Sequence, residues 1–140
     1  MLECSVIILN WNGEAMLRRY LPSVIQYTQL EGVEIVVADN GSTDASLEFL
    51  HSQPVRIIEL GENLGFAEGY NRAIEQVESK YVVLLNSDVE VTSNWLDTLL
   101  NYARAHEDVV AIQPKILSWQ SKEDAIKAGS SEILFEHAGA

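Results

Sequence analysis

Five short apolar runs recur along the chain: Val6-Ile7-Ile8-Leu9, Ile35-Val36-Val37-Ala38, Val55 to Leu60, Val82 to Leu85 and Val109 to Ile112. Val82 to Leu85 carries no polar alternation, which predicts a strand buried on both faces, as in a parallel sheet. The first four runs are each followed by a stretch with helical spacing. After the first, Leu17, Leu21, Val24 and Thr28 predict a helix that Pro22, lacking a backbone donor, should break or kink near its middle. After the second, Ser42 or Thr43 is placed to cap a short helix that carries Leu47 and Leu50 inward, with Asp44 at its positive end. After the third, Phe66, Tyr70, Ala73, Ile74 and Val77 share one face, and Phe66 and Tyr70 are expected in the core. After the fourth, Thr92 or Ser93 should cap a helix burying Trp95 or Leu96, Leu99, Leu100 and Ala103, with His106 beyond it at the surface.

This alternation predicts an α/β fold: a doubly wound, mainly parallel sheet with helices on both faces. Past Pro114 the pattern degrades into polar and small residues without a clear period. At 140 residues the chain is long enough to bury a real core as one domain. A net charge of −12 argues against nucleic acid as a partner, because phosphate backbones are bound through clusters of Lys and Arg, and Arg18-Arg19 is only a pair. The single cysteine, Cys4, cannot form an internal disulfide and reads as a small buried hydrophobe. Glu3 and Asn10 interrupt the first apolar stretch, so it makes neither a signal peptide nor a membrane span. A cytoplasmic protein is expected.

In open parallel sheets, ligands bind outside the carboxyl ends of the strands. The residues that follow the five runs are Asn10-Trp11-Asn12-Gly13, Asp39-Asn40-Gly41, Gly61-Glu62-Asn63, Asn86-Ser87-Asp88 and Gln113-Pro114-Lys115. Asn and Asp favour turns, which accounts for any one of these tips alone. Four together at one edge predict a polar ligand cleft. The first turn holds only Gly13, so it is neither the G-x-G-x-x-G turn of dinucleotide enzymes nor a phosphate-binding P-loop. Asp39 suits either a loop cap around Gly41 or an acceptor for a base or ribose. Asp88 would repel a diphosphate unless a divalent cation, Mg²⁺ or Mn²⁺, stood between them. Such a cation also reconciles an acidic protein with an anionic ligand.

The stretches "SVIILNWNG", "EIVVADNGSTDAS", "ENLGFAEGYNRAI" and "YVVLLNSDVEV", spanning residues 5 to 91 in order, together resemble the family 2 glycosyltransferases. These are inverting sugar transferases of the nucleotide-diphosphosugar (GT-A) fold. "NWNG", "NLGFA", "LLNSD" and "QPKIL" look most like the branch that includes rhamnosyltransferases and other builders of bacterial surface polysaccharides. The resemblance implies that Asn10, Trp11 and Asn12 lie along the nucleoside and that Asp39 bonds the base. It also implies that Asn63 and Gly65 lie near the nucleotide, with Asn71 on the helix that follows. Asn86, Ser87 and Asp88 match the family's D-x-D motif, with Asp88 as the metal ligand and Asn86 in place of the first carboxylate. From the residues themselves, Trp11 serves as core or as a platform, and Gly69 as a close-packing position or a site residue. Arg72 has a diphosphate or a structural role.

The implied reaction moves a sugar from a nucleoside-diphosphate sugar to the hydroxyl of a saccharide or lipid-linked saccharide acceptor, with inversion. It needs a general base. Glu132, Glu136 and His137 are the only late candidates, and none matches the family's acidic motif. Residues 1–117 are therefore expected to be a nucleotide-sugar-binding domain and residues 118–140 the start of a truncated acceptor-side region. Peripheral association of a full-length protein with the inner face of the membrane fits this expectation. Two other classes compete: a nucleotidyltransferase, which usually needs a glycine-rich basic loop that "NWNGEAML" lacks, and a non-catalytic nucleotide-sugar-binding module.

Overall fold

The first four apolar runs become strands and the stretches between them become helices in a computed structural model. The structure describes residues 1–114 and 116, together with the backbone of residues 135–137. In order, the elements are β1 (Leu2–Asn10), α1 (Glu14–Tyr27), β2 (Val33–Asp39), α2 (Ser46–His51), β3 (Arg56–Glu59), α3 (Phe66–Ile74), β4 (Ser79–Leu85), α4 (Trp95–Ala105), β5 (Ile112–Pro114) and β6 (Phe135–His137). The chain divides into two units, Met1–Val91 and Thr92–Ala140.

In the first unit β1 to β4 form an all-parallel sheet in the order β3-β2-β1-β4. The chain steps outward from β1 to β3, then returns across the sheet to place β4 on the other side of β1. Right-handed crossovers therefore put α1 and α2 on one face and α3 on the opposite one. Ile7, Val36, Ala38, Ile58, Tyr70 and Ala73 pack as one buried cluster beneath α3, with Leu9, Leu60 and Val77 at its margin. Cys4, Val6 and Ile8 alternate to the other face and are equally buried. Each such side chain contributes about 1.5 to 3 kcal/mol by leaving water. Leu17, Leu21 and Val24 form the buried stripe of α1.

Several expectations are corrected. Pro22 does not break α1, which runs unbroken from Glu14 to Tyr27. The helix after β2 begins at Ser46, and its cap position is Ala45 without a side-chain bond, because Ser42 and Thr43 are engaged elsewhere. Asp44 nonetheless accepts the Ser46 amide at 2.9 Å, as an acid at the positive helix end should. Phe66 is 69% exposed and Ile74 sits at the surface, so α3 buries only Gly69, Tyr70 and Ala73. The prediction of a strand buried on both faces fails for β4, where Val82 and Leu84 are exposed. Among the described residues β4 pairs with β1 alone, and it borders the sheet.

In the second unit α4 buries Trp95, Leu96, Leu99 and Leu100. Its cap position is Asn94 in the left-handed region, not Thr92 or Ser93. His106 is exposed and stacks on Tyr102 with ring centroids 4.0 Å apart. The fifth run does not join the parallel sheet: β5 starts only at Ile112 and pairs antiparallel with β6. No helix among the described residues is long and apolar enough to cross a membrane.

Candidate functional site

Asn10 and Asp39 end neighbouring strands and stand opposite each other in the ladder. The Asn10 amide Nδ2 donates to Asp39 Oδ1 at 2.9 Å and to Ser42 Oγ at 3.1 Å. The Ser42 backbone amide donates to Asp39 Oδ2 at 2.9 Å. Each carboxylate oxygen thus holds one protein donor and retains a second lone pair. The Asn10 Oδ1 is buried and has no donor among the described residues. A Cβ on Gly13 would lie 2.6 Å from it, so only glycine leaves that acceptor clear. An orphaned buried acceptor costs about 1 to 3 kcal/mol, and such groups concentrate at functional positions.

The next residues tie the turns after β1 and β2 together. Asn12 turns left-handed at φ 48°. Its backbone amide donates to Ser42 Oγ at 2.9 Å, and its side-chain Oδ1 accepts the amides of Thr43 at 2.7 Å and Asp44 at 3.3 Å. Trp11, between Asn10 and Asn12, is 55% exposed, which excludes its core reading.

A second amide organises the turn after β3. Asn40, 2% exposed, donates through Nδ2 to Asn63 Oδ1 and to the Gly65 carbonyl, and accepts the Leu64 amide. Asn63 Oδ1 also accepts the Gly65 amide at 2.9 Å, so this side chain shapes its own loop. Gly41 makes the approach of the two turns feasible: at φ 80°, an added Cβ would sit 2.7 Å from the Glu62 backbone. Gly69 is a close-packing position, since a Cβ there would meet Leu9 and the Asn40 amide.

The β4 tip lies beside the β1 tip, because Ile8 pairs with Leu85 in register. The strand order reverses between β1 and β4, and this switch point is where open α/β sheets part to admit ligands. Tyr70 donates its hydroxyl to the Leu85 carbonyl at 2.9 Å, anchoring the last strand residue. Burial pushes the Tyr70 phenol pKa up, so it remains a neutral donor. Beyond Leu85 the chain turns at Ser87-Asp88, with Asn86 and Asp88 exposed. Asp88 has no hydrogen-bond or ion-pair partner among the described residues. A turn-forming aspartate would bond its own backbone. This one bonds no described residue.

Among the described residues no three of His, Cys, Asp and Glu come together. The cavity of about 570 Å³ lined by Thr28, Glu34 and Arg56 lies at the amino ends of β2 and β3, away from these tips. Arg72 pairs with Glu68 and Glu75 on exposed α3, matching its structural reading. Asn71 is exposed on the same helix. Glu132 and Lys115 lie outside the described residues, and Glu136 and His137 fall in β6. Asn40 and Ser42 are the residues whose part in joining the turns sequence reasoning overlooked, Asn40 being read only as part of a strand tip and Ser42 as a helix cap. Their signal was the offset of one and three from Asp39, the spacing at which Asp and its followers build side-chain-capped turns.

The family described as Glycosyl transferase family 2 matches residues 5–131. The chain belongs to glycosyl transferase family 2. It is 34% identical to the uncharacterized glycosyltransferase YibD of Escherichia coli K12, over 72% of this chain and 30% of that protein. It is 29% identical to the N-acetylglucosaminyl-diphospho-decaprenol L-rhamnosyltransferase of Mycobacterium tuberculosis, over 79% of this chain and 40% of that one. The uncharacterized glycosyltransferase YfnE of Bacillus subtilis is 32% identical over 76% of this chain and 28% of its own length. The chain thus spans 28 to 40% of the length of these relatives. Among solved structures, S. aureus TarS in complex with UDP-GlcNAc superposes with a TM-score of 0.68 at 24% identity, covering 76% of this chain and 32% of TarS. The mannosyltransferase PcManGT of Pyrobaculum calidifontis, in complex with GDP-Man and Mn²⁺, gives 0.67 at 20% identity, covering 89% of this chain and 38% of its own. Both likenesses bear on the fold: the doubly wound sheet expected from the alternating runs, in the GT-A arrangement that the family resemblance implied.

Proposed function

We propose that this family 2 chain binds the nucleoside-diphosphate sugar donor of an inverting glycosyltransferase. The observation that carries this reading is Asp88, a carboxylate with no partner among the described residues, on the strand tip beside the switch point. Asn10, Trp11, Asp39, Asn63, Gly65, Asn86 and Ser87 form the nucleotide side, Asn12 shapes the turn that carries Trp11, and Asp88 is the cation ligand. The donor set fits Mg²⁺ or Mn²⁺, which takes one or two carboxylates and completes its shell with phosphate oxygens and water. Bound there, the cation would neutralise charge developing on the departing diphosphate. Asn86, a neutral amide where a second acid would stand, can hydrogen-bond ribose or a metal-bound water. Asp39 keeps free lone pairs for a donor on the base. The name of the Mycobacterium tuberculosis rhamnosyltransferase supports a sugar transferred to a lipid-linked saccharide acceptor, as in the synthesis of a bacterial surface polymer.

The rival reading as a nucleotidyltransferase draws no support from the turn after β1, which presents one glycine and no adjacent cation at the phosphate side. Calorimetric titration with UDP, dTDP and GDP tests the proposal, each with Mn²⁺ and again with a chelator. Binding of at least one diphosphate that is lost on chelation is expected. No binding to any of them would leave a non-catalytic interaction module as the better description.

A further inference from the structure

Among the described residues, the side-chain oxygens of Asn12 and Ser42 accept hydrogen bonds only across the two turns, from one to the other. The Ser42 hydroxyl accepts from the Asn10 side chain and the Asn12 amide, and its own amide holds Asp39. The Asn12 carbonyl oxygen accepts two consecutive amides of the opposite turn, those of Thr43 and Asp44. The Glu14 amide adds a bond to Asp44 Oδ2 at 3.2 Å, so the first turn of α1 is stitched in as well. These bonds cross about thirty residues of chain, and they are exposed or half-buried rather than set in the core. Surface bonds of that kind add little to stability, yet they fix where a loop stands. What they fix is the backbone on either side of Trp11, whose two neighbours, Asn10 and Asn12, are both anchored while Trp11 itself is 55% exposed.

We propose that Asn12 and Ser42 are positioning residues. They clasp the β1–α1 and β2–α2 turns into one preformed unit that presents the Trp11 indole to the nucleoside, and Asn12 itself does not touch the ligand. The inference rests on the nucleotide-binding reading above, and it replaces the expectation that the Asn12 side chain lies along the nucleoside. Preorganisation of this kind raises affinity by removing the ordering cost from the binding step.

The left-handed backbone at Asn12 supplies a clean test. Asn12→Gly keeps that conformation without strain but removes the Oδ1 acceptor. Asn12→Asp keeps an acceptor there and loses the amide donor. With 5-fluorotryptophan in the full chain, the Trp11 fluorine resonance, assigned through Trp11→Phe, reports the ring's placement without any ligand. One sharp, dispersed resonance is expected for the wild type and for Asn12→Asp. Asn12→Gly and Ser42→Ala should move it toward the value of a solvated, averaged indole. Affinity for whichever of UDP, dTDP and GDP binds most tightly with Mn²⁺ should fall about tenfold in those two variants, the effect of losing one or two hydrogen bonds. Asn12→Asp should stay within about threefold of the wild type. An unmoved resonance in both Asn12→Gly and Ser42→Ala overturns the proposal, and so does a loss of affinity in Asn12→Asp that matches Asn12→Gly. If the wild type binds none of the three diphosphates, the functional reading fails, while the resonances still decide whether the clasp orders Trp11. Should Asn12→Gly unfold, Ser42→Ala carries the same test.

Discussion

Tyr70 reaches across fifteen positions of sequence to donate its hydroxyl to the carbonyl of Leu85, 2.9 Å away. The bond links the buried face of α3 to the last residue of β4, one step before the Asn86-Ser87-Asp88 tip. Two structural demands meet there: a border strand needs its end held, and the cation ligand proposed at Asp88 needs a fixed base. Tyr70→Phe keeps the ring and removes only the hydroxyl. A loss of about 1 to 2 kcal/mol is expected, since the Leu85 carbonyl is left without its buried donor. A lowered urea midpoint at unchanged slope would show it, and an unchanged midpoint would mean that water replaces the hydroxyl.

Asp88 differs from Tyr70 in that no described residue bonds it. Asp88→Ala should leave the melting temperature within about 2 °C of the wild type, as for surface positions away from caps and cores. The same variant should lose metal-dependent nucleotide binding in calorimetry. A large drop in melting temperature would instead make Asp88 a structural turn residue.

Much of this arrangement was legible in the sequence, and the parts that were not share a physical reason. Apolar runs located β1 to β4 and their tips, because strand burial on a parallel sheet leaves a direct hydrophobic signature. The fifth run misled because apolar content alone cannot say which sheet a strand joins; Val109 and Val110 stay outside any strand. Phe66 misled for the opposite reason: its helical spacing matched the core face, but α3 begins at that residue and Phe66 stays exposed, its ring meeting Tyr70 edge to face at 5.0 Å. Ser42 was read as a helix cap from its residue type, whereas hydrogen-bond competition from Asn12 and Asp39 recruits it, and no local pattern records a partner thirty residues away. The polar make-up of the strand tips was visible. Their wiring was not.

Gly41 tests that wiring from the backbone side. Its positive φ and the 2.7 Å gap to the Glu62 Cα both oppose a methyl group, and the obstructing atoms are backbone that cannot rotate aside. Gly41→Ala should lower unfolding free energy by about 2 to 4 kcal/mol, combining left-handed strain with overpacking. Denaturant melts measure this directly, and a cost below about 1 kcal/mol would show that the turns after β2 and β3 are free to separate.

Cys4 is fully buried in β1, and burial pushes its thiol pKa up to about 11, with the charge of Glu3 adding to the effect. The thiolate is the reactive form, so at pH 8 the group is almost wholly protonated as well as shielded. A thiol reagent such as dithionitrobenzoate should leave the native chain unmodified at pH 8 and react promptly once denaturant is added. Rapid native labelling would show that the β1 end of the sheet opens on the timescale of the reaction.

The most direct measurement is a crystal of the chain soaked with Mn²⁺ and the tightest-binding of UDP, dTDP and GDP, with anomalous scattering used to find the metal. The account predicts a manganese peak bonded to the Asp88 carboxylate, bridging to the diphosphate, with the base lying between Trp11 and Asp39. A metal peak away from Asp88, or a nucleotide seated instead in the cavity beside Glu34 and Arg56, would contradict it.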